Sequence, residues 1–441
     1  MNMEVKIDSY ITEKSNLNNL SIEINRAIED ASKFAFSKVV FSKNKTYRAG
    51  TIYLKSNVEL VLEEGSLLLA SDNIQDFSKN GNVQDKKLDK PTWEDCSYNG
   101  NPTLFFIYGK DLENVKISGP GHIDGNEKIF YGKISNYHID GYFYPRVPLL
   151  YLENIENLII ENITFQHSAF WTTHLVGCRD VIINRLIIDN NLILANCDGI
   201  DPDHCQNVRI TNCKISCADD CIVFKTTSGN KKYGTTRNIY VDSCILESTS
   251  AAIKFGSEST QDFHDIKISN CKIFNSNRGI SFQLRDEGNI SNVYFENMDI
   301  KTHLFSPIEW WGKGEPIYIS AVKRDENTSL GFISNIHFKN INAHSESPLF
   351  IYSQDNNISR IIFENCNFDI KEITKWEHNI HDLRPSSYYS QPFSSPFYQA
   401  YIQNSKDVKL LNCNFNSAIK SDKEPIYSLN SEIEAKNTKF N

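Results

Sequence analysis

Short stretches of alternating apolar and polar residues recur along most of the chain, each opened by Asn or Asp. Asn114 opens NVKISG, Asn157 opens NLIIENITF, Asp180 opens DVIINRLII and Asn207 opens NVRITNCKI. Asn238, Asp265, Asn292 and Asn335 open four more, and later copies lie near Arg360 and at Asp407. Alternation with β-branched residues between turn formers predicts short half-buried strands. Asp180 to Asn207, Asn238 to Asp265 and Asp265 to Asn292 are each 27 residues apart. A period of this size means a solenoid, because one such unit cannot bury its apolar face alone. Leucine-rich repeats have a similar period, but their leucine pattern and helices are missing. The expected fold is all-β: a right-handed parallel β-helix, one domain over residues 1–441.

The ends and two interior stretches break the pattern. Ser21 to Phe36 carries helical periodicity and predicts a short helix within an N-terminal cap region, 1–40, covering the open end of the solenoid. Thr46 to Ser71 reads as the first coils. Residues 72–102 and 372–396 are long, non-repetitive and rich in aromatics and prolines. Loops of that length are usually functional or disordered, and here they are expected to wall a groove.

Composition then narrows the function. The 441 residues are 40% hydrophobic and 23% charged, with a formal net charge of -9. No basic block stands out, which argues against nucleic acid as a partner. No apolar run approaches the roughly 20 residues of a membrane helix, so no membrane partner is expected. The N-terminus lacks a basic start followed by an apolar core. With 11 cysteines, an odd number, that favours reduced thiols and a cytoplasmic location. Cys213, Cys244, Cys271, Cys366 and Cys413 fall at equivalent places in their repeats and are expected to form a buried ladder. Cys213, Cys217 and Cys221 are four apart, a spacing that gathers ligands on helices and not on strands, and no CxxC pair exists, so no metal is expected.

The stretch NCDGIDPDHCQNVRITNCKISCADDCIVFKT, Asn196 to Thr226, holds five aspartates. Asp198 and Asp219 are 21 residues apart, about one coil, and coils stack at about 4.8 Å. That spacing places Asp198 beside Asp219 and Asp220 on one outer face. Glycosidic hydrolysis needs such a set, one carboxyl protonated for the leaving oxygen and another ionised to activate water or attack. Crowding like charges raises the proton affinity of at least one. The competing reading is that these acids are turn formers. It suits Asp189 and Asp203, but handles poorly the adjacent like charges of ADDC between apolar strands.

From about Asn25 to Asn297 the chain resembles glycoside hydrolase family 28, the polygalacturonase family of parallel β-helices. The resemblance rests on AFWTTHLVGCRDVIINRLII with Trp171 and His174, on NCDGIDPDHCQNVRI, and on ADDCIVFKT. It implies that Asp219 is the general acid, that Asp198 and Asp220 activate water with inversion, and that Asn196 positions Asp198. It also implies groove positions for Asp201 and Lys225, and no metal or organic cofactor.

Two family motifs are broken. In STSAAIKFGSES, Ser250 or Ala251 stands where the Gly-His-Gly histidine belongs. In NRGISFQLRD, Ser281 and Gln283 replace the cations of Arg-Ile-Lys, which bind the substrate's carboxylate in polygalacturonases. Either the sugar at that subsite is not galacturonate, or Lys254, Arg278 or Arg285 supplies the charge, Lys254 being the best placed. SPIEWWGKGEPIYIS has no counterpart in the family. One of Trp310 and Trp311 should face out and stack on a sugar, and Glu309 and Glu315 are candidates for its hydroxyls. His174 and His264 read as structural.

The expected function is therefore an inverting glycoside hydrolase on pectin-like or related oligosaccharides or polysaccharides, trimming from a chain end. Two alternatives are a polysaccharide lyase, in which acids hold calcium and a base takes a proton, and a non-catalytic carbohydrate-binding solenoid.

Overall fold

A computed structural model of the chain describes residues 3–77, 102, 104–140, 146–306, 308–377 and 379–441. It divides into two compact units, Met1–Ala218 and Asp219–Asn441. Each is a run of parallel β-helix coils.

In the first unit, the strands Ile107–Ser118, Leu150–Glu161, Thr173–Val176 and Ile200–Asp203 stack in parallel register, with Ile107, Leu150, Thr173 and Ile200 as successive partners. A second sheet aligns Val58, Val115, Leu158, Val181 and Val208. A third runs from Leu67–Ala70 through His122–Asp124 and Thr164–Gln166 to Lys214–Cys217. The helix Ser21–Ala31 buries Ile24, Ala27, Ile28 and Ala31. It is shorter than the expected Ser21–Phe36, because the strand Ser37–Phe41 follows almost at once.

The second unit repeats the plan. Ile222, Ile253, Ile280 and Ile317 stack as one interior column, and Phe224, Phe255, Phe282 and Ile319 as another. Phe255 and Phe282 are parallel with ring centroids 4.5 Å apart. Three strands make one coil, which explains the 27-residue period. All ten residues that open the repeats, Asn114 through Asp407, have φ between 49° and 60°. Among L residues, Asn and Asp reach that left-handed region most readily. The five ladder cysteines are buried and free, as the pattern required.

The expected groove wall 72–102 falls almost wholly on residues outside those described. Of the other, 372–396, the part from 379 onward lies on the outer face of the second unit's first sheet. Leu383 joins a buried cluster with Tyr318, Phe350, Tyr352 and Tyr401, and Ile380–His381 pairs antiparallel with Phe393–Ser394.

Candidate active site

In the first unit, Asp198 immediately precedes the strand Ile200–Asp203. Its carbonyl accepts from the Thr172 amide at 2.9 Å, which fixes the approach to the strand. Its side chain is buried. Asn196 has φ 56°, and its Oδ1 accepts from Arg146 at 3.1 Å. The Arg146 guanidinium also donates to the Ala195 carbonyl and lies 4.6 Å over the Phe170 ring. Phe170 stacks on Trp171, which meets His174 edge-on. Arg146 escaped the sequence reading, because nothing in its neighbourhood carries a motif.

Asp201 is fully buried within Ile200–Asp203, in register with His174. Asp203 is not the expected turn residue. It ends that strand, buried, with one carboxylate oxygen 3.2 Å from His174 Nε2. A Pro-containing acidic tetrapeptide reads as a turn by composition, but here parallel pairing with Thr173–Val176 extends it.

In the second unit, Asp219 and Asp220 lead into the strand Ile222–Thr226. Asp220 is buried and held at both oxygens: Oδ1 accepts from Ser250 Oγ at 2.9 Å and the Ala251 amide at 3.1 Å, and Oδ2 from Lys254 Nζ at 2.7 Å. Asp219 is partly exposed. Burial of its carboxyl and the neighbouring Asp220 charge push its pKa up to about 6, against the opposing pull of Lys254 and Lys225. Burial disfavours the Lys254 ammonium, but Asp220 and Asp219 outweigh that and hold its pKa above the ordinary value. One carboxyl thus keeps its proton into the mildly acidic range beside a carboxylate gripped by a cation, the division of labour that acid–base catalysis needs.

Lys254 therefore serves Asp220, and the broken histidine motif is occupied by its partner Ser250. Lys225 is buried and bonds Glu258 at 3.2 Å. Burial raises the Glu258 carboxyl, but Lys225 and Arg324 prevail and hold it at about 2. Glu258 was also missed; a Glu between two serines gives no sign of burial.

Several expected groove residues lie elsewhere. Arg285 is fully buried and donates to the carbonyls of Leu284, Leu383 and Pro385, each at 2.9 Å. Arg278 is buried, bonded through two nitrogens to Glu315 at 3.1 Å and stacked 3.7 Å from the Tyr318 ring centroid. Glu315 is thereby an ion-pair partner inside the protein and not a hydroxyl acceptor at the surface. Trp310 is 6% exposed and packs inward, whereas Trp311, at 37%, faces out. Glu309 is partly exposed, with Oε2 lacking a hydrogen bond. His264 bonds its neighbour Asp265 at 2.7 Å.

Ser281 and Gln283 occupy the strand after Lys254, with Lys254 and Ser281 in direct register. Both are buried, and Ser281 Oγ and Gln283 Oε1 have no hydrogen-bond partner among the described residues. The three cations that could stand in for them, Arg278, Arg285 and Lys254, are each bonded to protein oxygens.

The family model described as glycosyl hydrolases family 28 matches residues 86–384. A probable polygalacturonase of Vitis vinifera is 28% identical over 262 residues, 57% of this chain and 51% of that protein. The chain thus spans about half the length of that relative. A probable exopolygalacturonase B of Aspergillus flavus is 24% identical over 279 residues, 57% of this chain and 61% of that one. Among solved structures, the family 28 exopolygalacturonase of Yersinia enterocolitica superposes with a TM-score of 0.73 at 17% identity, over 99% of this chain and 78% of that one.

Proposed function

Because the chain belongs to glycosyl hydrolases family 28, we propose that it is an inverting hydrolase of pectin-like oligosaccharides. The observation that carries this reading is the unequal pair Asp219 and Asp220, one with a pKa near 6 and one clamped by Lys254, Ser250 and a backbone amide. Asp219 gives its proton to the glycosidic oxygen as the bond to the anomeric carbon breaks. Asp220 and Asp198 take a proton from water, whose oxygen attacks the same carbon from the opposite face and inverts it. The named exopolygalacturonase relative supports action from a chain end.

The sugar bound beside Lys254 is, in this reading, not galacturonate. Its support is that Ser281 and Gln283 offer uncharged polar atoms still open to a hydroxyl, while the nearby cations are bonded within the protein. A carboxylate buried there without a cation would be costly.

The test is a screen of aryl glycosides and pectic oligosaccharides, with the product anomer followed by NMR. Inversion is expected at first appearance of product. Asp219→Asn should lower kcat by about 10²–10⁴-fold, the usual worth of a general acid. Wild-type turnover by that variant sinks the assignment. An unsaturated product absorbing in the ultraviolet would instead mark a lyase.

A further inference from the structure

The second unit carries a cavity of about 700 Å³, on its third sheet and not on the sheet that Asp219 leads. That size lies within the range of ligand sites. Its cations are Lys272, Lys301 and Lys371. All three are exposed and have no ion-pair or hydrogen-bond partner among the described residues. No carboxylate lines it among the described residues. The acids on the same sheet are already engaged: Glu247 accepts from Asn275, Asp299 from Asn342 at 3.0 Å, and Asp369 lies 3.0 Å from His344.

The placement of the lysines follows the coil geometry. Lys272 pairs in register with Asp299, two residues before Lys301. Lys301 pairs with His344, and His344 with Asp369, two residues before Lys371. The three charges therefore sit on the first, second and fourth of successive coils, spanning about 14 Å along the stack at about 4.8 Å per coil, each stepped two residues further along its coil. Apolar side chains border them: Ile245, on the coil before Lys272, and Ile373, just past Lys371, are 42% and 51% exposed, and Phe274 beside Lys272 is partly so. Cations one and two coils apart, bordered by apolar side chains, match a sugar chain that carries carboxylates at intervals and apolar ring faces. A nucleic acid fits less well, since three lysines on a chain of net charge -9 give little phosphate attraction.

We propose that this groove is a second saccharide site, which holds an acidic, carboxylate-bearing oligosaccharide along the stack. It does not depend on which bond the enzyme cuts. It would let a mixed polymer be gripped by its acidic portion while a neutral sugar is presented beside Ser281.

The test uses the full chain carrying Asp219→Asn, so that the probe is not digested, with and without Lys272→Ala, Lys301→Ala and Lys371→Ala together. Binding of polygalacturonate and of neutral galactan is measured by calorimetry at two ionic strengths. The triple substitution should weaken polygalacturonate binding by about tenfold or more and flatten its salt dependence, with galactan binding unchanged. Equal polygalacturonate affinity with and without the lysines overturns the proposal, as does an equal loss for galactan. The same substitutions in the chain that keeps Asp219 should leave hydrolysis of a short substrate unchanged; loss of that hydrolysis would also count against a separate site. Wild-type turnover by the Asp219→Asn protein would overturn the catalytic reading while the binding comparison still stands.

Discussion

Lys254 is the residue on which the candidate site turns. Its ammonium lies 2.7 Å from Asp220 and opposes the rise in the Asp219 pKa. Loss of the proton from Asp219 near pH 6 should produce the alkaline limb of kcat/KM, with activity falling about tenfold per pH unit above it. Lys254→Met removes a positive charge that favours the ionised forms of both carboxyls. The alkaline limb should therefore move to higher pH, since Asp219 holds its proton longer. Lys254→Arg should restore that limb in part. A variant that loses stability with an unmoved pH profile would assign Lys254 a purely structural role. The pair Asp219 and Asp220 stood out in the sequence because adjacent acids between apolar strands have few uses as turn formers. The fates of Arg278, Arg285 and Glu315 could not. A basic or acidic letter is the same whether its partner is a substrate or a carbonyl a hundred residues away, as Arg285 and Pro385 are.

At the scale of single elements, the coil turns depend on asparagine. Asn297 has φ 57°, donates to Asn270 at 3.0 Å and accepts from Asn340 at 3.0 Å. Asn297→Ala loses both ladder bonds and places a Cβ in the left-handed region. These effects, about 1–2 kcal/mol for the conformation and about 1 for each ladder bond, should destabilise the protein by about 3–4 kcal/mol. Asn297→Gly keeps the conformation and should cost less. Urea titration of the two variants separates the contributions; an equal cost would show that backbone strain plays no part. This element was legible because its demand is local: only a few residue types accept that φ, so the chain repeats them. The end of the first helix was less legible. Apolar periodicity continues past Ala31, but Ser37 onward is claimed by pairing with Val58–Leu62, a distant partner.

Over the second unit as a whole, the coil stack makes stability a chain of neighbour terms, and the covering segment 379–398 is tied to several coils at once. Arg285 holds it by the Leu383 and Pro385 carbonyls, Arg278 and Tyr318 hold the Asp382 carbonyl, and Tyr389 bonds Tyr352 at 2.6 Å. The aromatic content of 372–396 signalled a role but not this one, since the surface it covers is assembled from strands starting at 317, 349 and 400. Arg285→Met keeps much of the side-chain volume but strands buried carbonyls, at about 1–3 kcal/mol each. The interior columns of Ile and Phe do not touch this residue's polar contacts, so the coils should remain folded while the segment loosens. Limited proteolysis should then cut within 379–398 at least about tenfold faster than in the parent protein, and hydrogen exchange should rise there before it rises in Ile280–Leu284. Unchanged cleavage would mean that the aromatic cluster around Phe350 and Tyr401 alone holds the segment, and that the buried arginine contributes little to its docking.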